Sequence, residues 1–155
     1  AVRIAAGRLN TAMGRNAEAV ETYRRSLEIN RLFSIGYRRL AQTQRAMGDA
    51  AGASETLQLG AALMPSSPGV LYDYSEDLRQ KGQLEVASKT MRRAYLVNPD
   101  NWAILVSLGE LEFALGHATE GLRIVETVRS RQAAGDTPPG RLVQRVKALE
   151  QRASQ

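Results

Sequence analysis

The chain has 155 residues and a mass of 17.0 kDa, with 43% hydrophobic and 24% charged residues, which fits one ordinary domain and excludes wholesale disorder and fibrous repeats. Charged residues or glutamine interrupt every apolar run before the ~18 residues of a membrane-spanning helix, and with no cysteine there is no disulfide framework, thiolate nucleophile or cysteine-bound zinc. The net charge of +5 is segregated: residues 1–50 carry 9 basic and 4 acidic groups, 51–128 carry 6 and 10, and 129–155 carry 6 and 2, so an acidic middle interrupts the coherent basic face of a nucleic-acid binder.

The chain opens at Ala1 with no initiator Met and no apolar leader, and reads as a trimmed or mature form. A period of 34 residues then runs through it, marked by Gly14, Gly48, Gly82 and Gly116. Five residues after each glycine stands a small residue (Ala19, Ala53, Ala87, Gly121), and four further on a larger one (Tyr23, Leu57, Met91, Val125). Seven before each glycine stands another small residue (Gly7, Ala41, Ser75, Gly109).

Each period predicts two helices joined at the glycine, which closes the first by adopting the left-handed conformation. The units fall at about 1–33, 34–67, 68–101 and 102–134. Ser34 and Asn101 stand where helix N-caps belong, and Pro65 and Pro99 punctuate the unit ends. In the fourth unit, Asn101 to Leu115 carries Ile104, Leu105, Leu108, Leu111 and Leu115 at buried-stripe spacing, and a second helix is predicted from about Ala118 to Arg131. The in-phase small residues mark where paired helices cross closely. After the breaker "GDTPPG", Leu142, Val143, Val146 and Leu149 make one apolar stripe, with Arg141, Arg145, Lys147 and Arg152 placed outside it. Residues 135–155 thus predict a linker and a helix capping the apolar end of the last unit.

This pattern resembles the tetratricopeptide repeat, W-x2-L-G-x2-Y…A-x3-F…P, most closely in "GRNAEAVETYRRSLEIN" at 14–30 and "GQLEVASKTMRRAYLVNPDN" at 82–101. The tryptophan place holds Arg3, Tyr37, Leu71 and Leu105, and the tyrosine place Asn10, Gln44, Leu78 and Glu112. The resemblance implies an all-α, right-handed superhelical solenoid of about four helix-turn-helix units plus the C-terminal capping helix.

No phosphate-binding glycine loop or metal-ligand spacing occurs, and the single histidine, His117, reads as a solvated turn residue. Glu76 and Asp77 are adjacent and so lie on different helical faces. The expectation is a protein without enzymatic activity or cofactor. What the resemblance implies instead is a concave groove lined by the first helix of each unit. Counting ten, nine, six and three residues back from each turn glycine gives its lining: Ile4, Ala5, Arg8 and Thr11; Arg38, Arg39, Gln42 and Arg45; Tyr72, Asp73, Glu76 and Arg79; Val106, Ser107, Glu110 and Phe113. Arg8, Arg38, Arg39 and Arg45 make a basic end, Asp73, Glu76 and Glu110 an acidic one, and Tyr72, Val106 and Phe113 apolar footholds.

Such a groove is expected to bind a peptide segment or amphipathic helix of another protein. The clamp by which related co-chaperones hold a C-terminal carboxylate is absent: its places hold Ile4, Arg8, Arg39, Gly69 and Asp73, or one unit later Arg38, Gln42, Asp73, Ala103 and Ser107. The 18 Arg against 3 Lys fit a GC-rich bacterial genome, and size, repeat number and composition are similar to those of bacterial pilus-associated tetratricopeptide lipoproteins, the pilotins. That comparison implies a secretin segment as partner, a lipid anchor on an upstream leader, and a place at the outer membrane. A self-assembling structural protein built by solenoid stacking is the alternative.

Overall fold

The computed structural model describes residues 3–6 and 14–155, and the described residues are helical, turn or coil throughout. Residues 3–6 are helical, and then come α1 (Asn16–Ile29), α2 (Ser34–Ala46), α3 (Ala50–Leu63), α4 (Pro68–Gln80), α5 (Leu84–Val97), α6 (Trp102–Ala114), α7 (Ala118–Ala133), a 3-10 turn (Gly140–Leu142) and α8 (Val143–Ala153). The chain divides into two compact units, residues 1–77 and 78–155, with the boundary inside α4.

Five glycines have positive φ, from 74° to 85°: Gly14, Gly48, Gly82, Gly116 and Gly135. At four of them the residue after the glycine donates its N–H to a carbonyl five residues back, Asp49 to Gln44, Gln83 to Leu78, His117 to Glu112 and Asp136 to Arg131, at 2.9–3.0 Å. This is the six-to-one closure of a helix C-terminus, and the conformation it needs disfavours any side chain. A Cβ at these glycines would meet nothing within 4 Å, so backbone conformation rather than space selects glycine. Gly135 repeats the device at the end of α7, outside the 34-residue phase.

Helix starts follow a different chemistry. Asn101 caps α6 as expected, its side chain accepting from the Ile104 N–H at 3.1 Å. Asp49 does the same for α3, accepting from the Gly52 N–H at 2.8 Å. Ser34 is not a cap: it is the first residue of α2, and the cap position belongs to Phe33, which makes no side-chain bond. Pro68 opens α4, where its missing N–H costs nothing.

In residues 1–77, α2 packs on α1 and on α3. Ile4, Ala19, Val20, Tyr23 and Leu40 form one core cluster, joined by Leu27 and Phe33, and Ala41, Ala53 and Leu57 a second, joined by Tyr74. In residues 78–155, α6 packs on α5 and α7, and α8 lies against both α6 and α7. Leu105, Leu108 and Leu111 are fully buried, each worth about 1.5–3 kcal/mol of hydrophobic stabilisation. Leu142, Val146 and Leu149 are buried as the stripe predicts, while Val143 is half-buried. Arg145 departs from its predicted outward place: its guanidinium bonds Glu110 and, at 3.0 Å, the Ser107 hydroxyl. A charge on an amphipathic helix turns inward where a carboxylate on the neighbouring helix awaits it.

The linker before α8 is tied down by Trp102. Its indole N–H donates to Asp136 at 3.0 Å, and Arg131 donates to the other carboxylate oxygen at 2.8 Å while its guanidinium lies 4.1 Å above the indole ring. The Trp102 and Arg131 hydrogen bonds hold the Asp136 carboxyl below its ordinary value.

Candidate functional site

The expected lining residues divide between buried and partly exposed positions. Ile4 is buried in the first core cluster, and Val106 and Ser107 are buried in the second unit. The first two are apolar at a position that touches the adjoining helices; the last sits under Arg145. Arg8 and Thr11 lie outside the described residues. Tyr72, Glu76 and Arg79 are half-buried along α4.

Arg38, Arg39, Gln42, Arg45 and Asp73 come together around a cavity of about 540 Å³, whose wall includes Ile35 and Leu57. Arg38 reaches from α2 to Asp73 on α4 at 2.7 Å, and Arg45 to Asp77 on α4 at 2.5 Å. Asp77 is almost fully buried and also accepts from the Ser54 hydroxyl of α3 at 3.0 Å, so Arg45 belongs to a bond network that joins three helices. Arg39 differs: its guanidinium donates to the Gln42 side chain at 2.9 Å, and it has no ion pair among the described residues. Of three guanidinia around the cavity, two are neutralised within the fold, and Arg39 brings the uncompensated charge.

The second unit shows the opposite arrangement. Glu110 and Ser107 are engaged by Arg145 of α8, and the Arg152 guanidinium lies 5.4 Å from the centre of the Phe113 ring. Three expected lining residues are therefore covered by the C-terminal helix. Arg38–Asp73 and Glu110–Arg145 share a separation of 35 residues. The C-terminal helix thus meets α6 in the register by which α4 meets α2.

Glu112, at the tyrosine place, is the buried acid of a separate network. It accepts from the Ser88 hydroxyl, lies 2.9 Å from His117 Nδ1 and 3.4 Å from the Arg92 guanidinium. His117 is therefore a half-exposed turn residue with a fixed partner. Ser88 donates to the carboxylate rather than to the ring, so the hydroxyl-to-imidazole path of a nucleophilic triad is not formed. Groups of three or more potential metal ligands are absent among the described residues.

Burial raises the Glu112 pKa, but the Ser88 and His117 bonds and the Arg92 charge outweigh it and hold the carboxyl below its ordinary 4.5. A depressed folded value contributes stability that is present above 4.5 and lost as pH falls through the lower folded value. Acid unfolding followed by circular dichroism should accordingly show a flatter acid limb for Glu112→Gln than for the parent; coincident limbs would refute the linkage.

A model of the tetratricopeptide-repeat family matches residues 2–31. Tetratricopeptide repeat protein 7A of Homo sapiens is 35% identical over 77 residues, which cover 50% of this chain and 9% of that protein. The chain thus corresponds to under a tenth of that relative's length. The crystal structure of MamA superposes with a TM-score of 0.73 at 16% identity, covering 99% of this chain and 81% of that one. The first TPR of Spaghetti (RPAP3), bound to HSP90 peptide SRMEEVD, superposes with a TM-score of 0.64 at 20% identity, covering 74% and 91%. The fold is all-α and of the tetratricopeptide-repeat type, and the first unit carries the repeat's sequence signature.

Proposed function

We propose that the chain is a protein-protein interaction scaffold that takes a short partner segment, apolar with an acidic residue, at the cavity between α2 and α4. The observation that carries this reading is the uncompensated Arg39 guanidinium beside Gln42, on a cavity whose other two arginines are held by Asp73 and Asp77. A fixed cation on a partly apolar wall favours a carboxylate whose neighbouring side chains are apolar. The neighbour of this fold that holds SRMEEVD, a peptide with three carboxylate side chains, supports an acidic ligand in general. The clamp places differ here, so the contacts would be this chain's own.

A narrower form of the reading makes the partner a secretin segment and the protein a pilotin of a bacterial pilus system. Its support is size, repeat number and composition. Affinity capture from the native cell, comparing the parent with Arg38→Glu plus Arg39→Glu, tests both levels. A partner recovered by the parent and lost with the variant, at unchanged helicity, supports the scaffold, and a secretin among those partners supports the pilotin. Equal recovery by both proteins discards the cavity as the site.

A further inference from the structure

Helix α2 has a second face. Tyr37 and Leu40 point away from Arg38 and Gln42 by helical geometry, and with Leu27 of α1 and Leu59 of α3 they line a separate cavity of about 400 Å³. Its floor is apolar: Tyr37 and Leu40 are buried and Leu27 is half-buried. One wall is a leucine half in water, Leu59 at 50% exposure.

The rim is charged. Arg24 and Arg31 both border the cavity and have no ion pair among the described residues, whereas neighbouring Arg25 is paired with Glu21 at 2.8 Å. Glu28 stands on the same rim and leaves it net positive by one. The Tyr37 hydroxyl donates to the Arg31 backbone carbonyl at 3.0 Å and ties the backbone of the rim to the floor. The guanidinium is also felt at the floor: burial raises the Tyr37 phenol's pKa and the Arg31 charge draws it partly back.

We infer that this face is a second docking surface, for an acidic amphipathic helix of a partner protein that inserts an apolar side chain beside Leu59 and sets carboxylates against Arg24 and Arg31. Arg24 stands on α1 and Arg31 two residues beyond its last residue, both on the rim of the cavity. Carboxylates at positions i and i+7 of a partner helix lie on one side of it, with room for apolar residues at i+3 and i+4 between them. Complementary charge sets register while the apolar insertion supplies affinity.

The test uses a 15-residue helical peptide with Glu at i and i+7 and Leu at i+3 and i+4, and its analogue with Lys replacing both Glu, each titrated into the 15N-labelled chain. The expected result is saturable amide shifts at Leu27, Tyr37 and Leu59 with the Glu peptide and at least tenfold weaker binding of the Lys peptide. Arg24→Glu with Arg31→Glu should reverse that preference, and Leu59→Ser, on a half-exposed position that leaves the fold intact, should weaken both peptides. Absence of shifts, shifts confined to Arg38, Arg39 and Arg45, or equal binding of the two peptides would overturn the assignment. So would dimerisation abolished by Leu59→Glu, which would give the face to a second copy. The site of Arg39 lies on the other face of α2, and failure here leaves that reading standing.

Discussion

Gly109→Val is expected to destabilise the C-terminal unit by about 3 kcal/mol and to lower its melting temperature by roughly 12–24 °C. A Cβ at Gly109 would stand 2.8 Å from a methyl of Ile124 on α7 and 3.0 and 3.1 Å from the methyls of Leu149 on α8. These distances are shorter than the ~3.5–4.0 Å optimum for carbon pairs, and valine adds two further methyls to the crowded space. Both neighbours would have to move, and Leu149 carries α8 with it. Alanine is the control: its single methyl presses on Ile124 Cγ2, carried by a stiff β-branched side chain, and on the freer ends of Leu149, while helix propensity returns up to about 1 kcal/mol relative to glycine. Melts by circular dichroism should therefore place Gly109→Ala within a few degrees of the parent and Gly109→Val far below both. A valine variant melting with the parent would mean that three helices do not meet at this residue.

Gly109 shows what was legible in the sequence. Its place seven residues before Gly116, in phase with Ala41 and Ser75, marks a close approach, because only small side chains recur where helices cross. The turn glycines were legible for a different reason, since positive φ excludes almost every other residue. Arg145 was not legible from its own helix. A stripe analysis places every charge on the solvent side, and whether a guanidinium turns inward depends on a carboxylate elsewhere in the chain. The usable signal was pairwise: opposite charges 35 residues apart, Arg38 with Asp73 and Glu110 with Arg145, connect adjoining helices. By its own residues α2 is basic, because the two carboxylates that neutralise its arginines, Asp73 and Asp77, stand on α4 in the acidic middle of the chain.

That pairing leads to the sharpest expectation for the cavity: the arginines are unequal. Arg39→Glu should weaken a bound acidic segment by about 3 kcal/mol, on the order of 100-fold, because it replaces the uncompensated cation with a charge that repels the ligand. Arg38→Glu should cost less than Arg39→Glu, since Arg38 is already committed to Asp73 and has less attraction to lose. Asp73→Asn should act in the opposite sense. It frees the Arg38 guanidinium beside Arg39, and an exposed ion pair of this kind is worth up to about 1 kcal/mol, so affinity should rise by up to about fivefold. Arg45→Glu is uninformative about the ligand, because it breaks the bond to buried Asp77 and perturbs the packing of α2, α3 and α4. Titration calorimetry of a captured segment against the three cavity variants gives the order directly. A tightening by Asp73→Asn together with a large loss at Arg39 identifies the ligand as an anion held by Arg39, whereas weakening by Asp73→Asn would show that the Asp73 carboxylate itself receives a basic group of the partner.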